Sequence, residues 1–267
     1  MLRLRLAKLA CHFFFMLLML NASAFAQTLT FTADEWCPVN CEPGSERPGY
    51  MVEIAEAILK PEGYEINYVT LNWSRALIYT RSGRFNAVFG ALKGDAPDFV
   101  FPTSPQGMTA VGLFVRQDSN WLYADSSSLA NQRIGLIRDY AYGDELEKLI
   151  QQYAKPNYSG GDKPLELNMR QMIAGRLDIV VEDVNTFRHS AKELGLDREF
   201  KLAKTFSEEE IFVAFSPDAP SSQELADLLG KGMHRLRQTG ELAKILARYG
   251  LSDWAISKPA SEDKIGN

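Results

Sequence analysis

Asp34, Trp36, Trp73, Tyr140, Tyr142 and Asp183 gather at the ends of predicted strands and the starts of predicted helices. Carboxylates set among aromatic faces suit a cationic nitrogen, through charge-assisted hydrogen bonds and cation–π attraction. In open α/β sheets ligands bind outside the carboxyl ends of the strands, which is where these residues fall. Two adjacent carboxylate pairs, Asp34-Glu35 and Glu182-Asp183, fit acid–base work, turn capping or the binding of a ligand ammonium. The sequence has no phosphate loop, dinucleotide fingerprint or nucleophile elbow. Ser190 follows His189 on a predicted helix, where neighbours point to different faces, so the two do not read as part of a triad. Three His and three Cys in 267 residues make a multi-ligand zinc site improbable, and neither a metal nor a cofactor is expected.

These residues are carried by alternating strands and helices. A strand over 28–32 leads into a turn-rich segment, 34–49, that holds Cys37 and Cys41. A helix over 51–59 stops at Pro61-Glu62-Gly63; Tyr64, Ile66 and Tyr68 then alternate with polar residues as a half-buried strand. A helix over 73–81 closes at Ser82-Gly83, and a short strand follows over 87–89. The order strand, helix, strand, helix, strand is an α/β pattern with a parallel sheet. It repeats with a strand over 134–137, helices over about 144–153 and 165–174, and a strand over 179–181. Gly83-Arg84-Phe85-Asn86-Ala87-Val88 is echoed by Gly175-Arg176-Leu177-Asp178-Ile179-Val180, which suggests two lobes of like architecture. Apolar runs over 110–116 and 210–215 flank the second unit as crossings between lobes. Glu208-Glu209-Glu210 reads as a solvated turn, and two helices, 221–238 and 241–249, close the chain.

The first 26 residues read as a secretory signal peptide: a basic head (Arg3, Arg5, Lys8), an apolar stretch over 9–20, and a small-residue tail ending Ala24-Phe25-Ala26. The apolar stretch is short of the ~20 residues that span a bilayer. Cleavage after Ala26 would remove three basic side chains and no acid, taking the formal charge from −5 to −8. That balance argues against a nucleic-acid partner. In an oxidising compartment Cys37 and Cys41, with no further Cys or His near them, favour a local disulfide.

Asp34 and an aromatic after the first strand, Gly49-Tyr50-Met51-Val52-Glu53-Ile54-Ala55, Ser82 through Val88, Ile134-Gly135-Leu136, Gly175-Arg176-Leu177-Asp178, Glu182-Asp183 and the two closing helices come in a specific order. Over residues 29–254 that order resembles the bacterial periplasmic solute-binding proteins of the polar amino-acid uptake family (family 3, type II periplasmic binding fold). The resemblance implies a two-lobed α/β clamshell, each lobe a mixed sheet flanked by helices, joined by two crossing strands. Lobe 1 would be 27–112 with 210–255, lobe 2 would be 113–209, and 256–267 a flexible tail. It implies a monomer in the periplasm that binds a small polar solute, amino-acid-like or amine-bearing, and delivers it to an ABC-type permease of the inner membrane, without catalysis. A sensing subunit for a membrane receptor, and a dehydratase-like enzyme using Glu182 or Asp183 as acid or base, are the competing readings.

By the same resemblance, Asp34 and Trp36 match the first-lobe acid and aromatic, Trp73 an aromatic that stacks on the ligand, and Asp183 the acid that takes its ammonium. Gly90, Arg138, Tyr140 and Tyr142 would line the site. Amino-acid binders of the family carry a Thr-x-Glu-Arg stretch whose Arg clamps the α-carboxylate. The matching stretch here, Leu92-Lys93-Gly94-Asp95-Ala96-Pro97, has no Arg. Lys93 would supply a point charge without the bidentate fork, and Arg75 or Arg138 are the other candidates to reach in. An amine, a peptide-like compound or another small polar molecule stays open.

Overall fold

Residues 26–257 are described by a computed structural model; the leader, apart from Ala26, and residues 258–267 of the expected tail lie outside the described residues. Strand β1 (Gln27–Ala33) leads through the Cys37/Cys41 loop to helix α1 (Tyr50–Leu59), then β2 (Tyr64–Thr70), α2 (Trp73–Arg81) and β3 (Ala87–Ala91). The long β4 (Gly107–Arg116) opens the second unit: β5 (Arg133–Ile137), α3 (Asp144–Tyr153), β6 (Lys155–Ser159), α4 (Pro164–Ile173), β7 (Ile179–Asp183) and α5 (Val184–Glu193). The chain returns along β8 (Phe200–Phe215) and ends in α6 (Ser222–Thr239), α7 (Glu241–Ala247) and the short α8 (Trp254–Ser257).

The strand order is β2-β1-β3-β8-β4-β7-β5-β6. In the first half β1 runs parallel to both β2 and β3; in the second β5 runs parallel to both β6 and β7. The same three-strand motif is therefore built twice. β8 joins the halves, pairing antiparallel with β4 from Phe200 to Ile211 and with β3 between Phe212 and Phe215. Together β4 and β8 are the strands that carry the chain out of the first half and back. The first half centres on Leu29, Phe31, Ile54, Ile58, Phe89 and Phe215, closed by Leu225, Leu229 and Met233 of α6. The second half has separate apolar layers on its two faces, one around Leu113, Ile134 and Val181, the other around Phe114, Met169 and Phe187.

The sequence echo has a structural cause. After α2, Gly83 at φ 73° turns the chain, Asn86 N–H donates to Thr30 O, and Asn86 Oδ1 accepts from Thr30 N–H at 2.8 Å. After α4, Gly175 at φ 68° turns the chain, Asp178 N–H donates to Arg133 O, and Asp178 Oδ2 accepts from Arg133 N–H at 2.8 Å. In each half a short Asx side chain closes a ring on the first or fourth residue of the central strand and sets the register of the next. Glycine supplies the left-handed turn that other residues adopt at a cost.

Two expectations are corrected. Glu208, Glu209 and Glu210 are not a turn; they pair with Ala110, Thr109 and Met108 inside the β8–β4 ladder. β6 was absent from the sequence pattern because it is an exposed edge strand containing Pro156, without alternation of apolar residues. Cys37 and Cys41 are bonded, with Cα atoms 4.6 Å apart, and Trp36 and Asn40 exchange backbone hydrogen bonds across the small loop they close.

Gly232 of α6 faces Ile58 of α1, and a methyl group there would overlap the branched Ile58 side chain. Gly232→Ala is expected to lower stability by about 1–3 kcal/mol, the range for overpacking, despite a helix-propensity gain of up to ~1 kcal/mol. Denaturant melts should show Ile58→Ala, which removes the γ-carbons that the added methyl would meet, costing less in the Gly232→Ala protein than in the parent.

Candidate functional site

The expected residues converge where the parallel strands of both halves end. Asp34 and Trp36 follow β1, Gly90 lies in β3, Tyr140 and Tyr142 follow β5, Glu182 and Asp183 end β7, and Trp73 opens α2. Asn72 caps α2 by accepting from Arg75 N–H at 3.1 Å, which fixes where Trp73 enters. Gly90 has φ 79°, and an added Cβ would stand 2.9 Å from Trp36 Cε3. Glycine there lets the indole lie against β3.

Between the halves lies a cleft of two compartments. The inner is a cavity of about 40 Å³, room for a few waters, and the outer holds about 940 Å³. Asp34, Trp36, Trp73, Tyr140 and Glu182 line both, so they form the partition. The partition is hydrogen-bonded across the halves. Trp36 Nε1 donates to Glu182 Oε1 at 3.3 Å, and the Tyr140 hydroxyl donates to Asp34 Oδ2. Nearby, the Ser74 hydroxyl donates to Asp139.

The two carboxylates ending β7 have different environments. Asp183 is saturated: Oδ1 accepts from the N–H groups of Asn185 and Thr186, both at 2.9 Å. Oδ2 accepts from Thr109 Oγ1 at 3.0 Å and Ala110 N–H at 2.9 Å. Four donors fill the roughly four lone-pair sites of a carboxylate. Asp183 is thus the N-cap of α5 and a tie to β4. Glu182 is 2% exposed; Oε1 accepts from Trp36 and from Asp183 N–H at 2.8 Å, while Oε2 is buried without a partner. Burial pushes the Glu182 carboxyl up to about 8, helped by the neighbouring charges of Asp183 and Asp34 and opposed by its hydrogen bonds. Burial likewise raises Asp34 to about 6 against the Tyr140 hydrogen bond, and Asp95 to about 6.

Seven of the expected site residues line the inner cavity: Asp34, Trp36, Trp73, Gly90, Tyr140, Tyr142 and Asp183. Arg138 lines only the outer compartment. Arg75 and Lys93 line neither. Arg75 is exposed on α2, and Lys93 Nζ sits 4.9 Å from the centre of the Phe212 ring, a cation–π contact that holds it aside. Trp73 is 7% exposed and also packs on Ala76, Val88 and Phe99, so part of the indole belongs to the core. Asp95, Thr109 and Glu182 also line the cavity. Only Glu182 had a signal, as half of a carboxylate pair. Among the described residues lining the inner cavity there is no Lys, Arg or His.

This cleft can be set beside known proteins. The sequence profile described as bacterial extracellular solute-binding proteins, family 3, matches residues 30–252. The chain belongs to that family. Its fold is the type II periplasmic-binding fold. A histidine kinase sensor domain with similarity to periplasmic binding proteins superimposes with TM-score 0.71 at 20% identity, covering 84% of this chain and 96% of that one. An ancestral arginine-binding protein bound to arginine gives 0.70 at 16% identity, covering 84% and 99%. A structure described for glutathione import via GshT and the cystine ABC importer TcyBC of Streptococcus mutans gives 0.71 at 20%, covering 85% and 96%. At these identities the likeness concerns the fold. No curated protein matches the sequence.

The raised carboxyls set a pH dependence. Unfolded, Asp and Glu titrate at 3.8 and 4.5; folded, Asp34 and Asp95 hold protons to about 6 and Glu182 to about 8. Between these values the folded chain binds more protons, so stability falls as pH rises. The ligand-free protein is expected to melt higher at pH 5 than at pH 8.5, and Glu182→Gln should flatten the fall between pH 6 and 8. The lowered carboxyls of Asp98, Asp118, Asp125 and Asp178 act below that window. A midpoint that climbs from pH 5 to 8.5 would contradict this assignment. Asp183→Ala should lower the midpoint markedly, since it strands four donors, two of them backbone N–H groups at a helix start; loss of such a cap alone costs ~1 kcal/mol.

Proposed function

We propose that the protein captures a small polar solute, amino-acid-like or amine-bearing, between lobes 27–112 with 210–255 and 113–209, and delivers it to an ABC-type permease of the inner membrane. It acts as a periplasmic monomer, after cleavage following Ala26. The observation that carries this reading is the partitioned cleft, where the protein's own donors from one half occupy carboxylates of the other and leave Glu182 Oε2 open. Membership of a solute-binding family supports it. A ligand that supplies donors to Glu182 and Asp34 takes over from Trp36 Nε1 and the Tyr140 hydroxyl while staying enclosed by both halves. Hinge motion at β4 and β8 would admit it, as in clamshell closure generally.

Catalysis finds no support in the site. The competing reading gave Glu182 or Asp183 as acid or base, but Asp183 has its oxygens filled by structural donors. Glu182 has no nucleophilic side chain hydrogen-bonded to it among the described residues. A bound solute should be recovered chemically unchanged after long incubation.

A sensing role is the second reading, favoured by the likeness to a histidine kinase sensor domain. A melting-point screen against small metabolites tests capture, since a ligand at 100 times its dissociation constant adds about 2.7 kcal/mol. Loss of the protein from cells should then abolish uptake of the identified solute. Uptake that persists while a transcriptional response to the solute disappears would favour sensing over delivery.

A further inference from the structure

Resting on the reading of the cleft as a solute site, we infer that its inner compartment selects cationic amines or guanidines that carry no carboxylate, over the amino acids that share their side chains. Four carboxyl groups, Glu182, Asp34, Asp95 and Asp183, line one small cavity that no Lys, Arg or His among the described residues lines, and Asp183 alone has its oxygens filled by structural donors. One of their oxygens, Glu182 Oε2, is buried without a donor. A buried acceptor left unpaired is costly, and a ligand N–H that meets it relieves that cost. Trp36, Trp73 and Tyr140 line the same space, where their rings can attract a cation, and the Trp36 Nε1 and Tyr140 hydroxyl donors are already taken by Glu182 and Asp34.

An α-carboxylate entering this compartment would face four acids and no counter-charge. The side chains expected to clamp it are elsewhere: Arg75 and Lys93 lie outside both compartments and Arg138 reaches only the outer one. In a low-dielectric space an unpaired anion beside acids is strongly disfavoured. The acids would have to stay protonated to accept it, and that difference is measurable. On the inner side the titratable groups facing Glu182 are Asp183 beside it, Asp34 across the cleft and the hydroxyls of Tyr140 and Tyr142, none of them positive; the basic side chains Arg138, Lys163 and His189 line only the outer compartment. An ammonium that pairs with Glu182 expels its proton to solvent, so binding releases a proton and tightens as pH rises from 6 to 8. A carboxylate that hydrogen-bonds to neutral Glu182 holds the proton in place, and its binding weakens over the same range.

The test is calorimetric titration of the full mature protein with matched pairs: agmatine and arginine, putrescine and ornithine, tyramine and tyrosine. At least one amine is expected to bind, at least tenfold tighter than its parent amino acid. Proton release should be visible as a dependence of the heat on buffer ionisation enthalpy. Glu182→Gln should weaken that amine at least tenfold and abolish the proton release. Asp34→Asn is the second variant, expected to weaken the amine as well, should Glu182→Gln fail to fold. An amino acid that binds as tightly as its amine, or an amine whose binding ignores both substitutions, overturns the inference. A metabolite screen in which only carboxylate-bearing or neutral solutes raise the melting point also overturns it, and leaves solute capture standing. A screen in which nothing binds removes the capture reading and the inference together.

Discussion

Burying carboxyl groups where the two halves of the sheet meet, with no basic side chain among the described residues lining the inner cavity, constrains everything around the cleft. Each oxygen must find a donor or keep a proton. Asp183 is satisfied by a helix N-terminus and the β4 backbone, so it serves the fold of the second half. Glu182 and Asp34 are satisfied only in part, Glu182 by Asp183 N–H and Trp36 and Asp34 by Tyr140, with Trp36 and Tyr140 each reaching from the opposite half. Both carboxylates at the end of β7 line the inner cavity, but they divide by their partners into one filled by structural donors and one with an oxygen left open. The division separates what stabilises a lobe from what holds the lobes together.

The partial satisfaction depends on how Trp36 is held. The Cys37–Cys41 bond closes a loop in which Trp36 and Asn40 exchange backbone hydrogen bonds, and the Asn40 amide donates back to Asp34 O. Gly90 leaves room for the ring to lie against β3. The indole N–H therefore reaches Glu182 from a braced loop. The bridged loop is too small for its chain-entropy effect to matter much to the whole fold. Its consequence is local, in fixing a donor at the partition.

Much of this architecture was legible because local signals agreed with global packing. The bounds of α2 follow from Asn72 as cap and Ser82-Gly83 as stop, and the twin Asx rings of Asn86 and Asp178 left a visible echo in the sequence. The failures share a cause: exposed segments are not patterned by burial. β6 presents its backbone edge and Pro156 to solvent, and the Glu208–Glu210 stretch of β8 pairs through its backbone while its side chains carry charge. The site was legible as a set of residue types, but their roles were not. Nothing in Glu182-Asp183 says which side chain caps a helix and which keeps an oxygen open to the cavity, because that depends on strand register. Nor does a sequence show that Lys93 is drawn onto Phe212, a contact made only after β3 and β8 pair.

The partition also bears on how tightly a solute can be held. In the closed arrangement Trp36 Nε1 and the Tyr140 hydroxyl act as internal stand-ins for ligand donors. A ligand must exchange with them, so its gain is the difference between its hydrogen bonds and theirs, and neutral donors are the weaker partners for a carboxylate. A charged nitrogen wins that exchange where a neutral amide or hydroxyl would only match it. The self-closed state thereby lowers affinity for every solute by the same factor, and discrimination follows from the bonds each solute makes with Glu182 and Asp34. The same two bonds satisfy part of the cleft when no ligand is present, sparing buried acceptors that would otherwise favour opening to water.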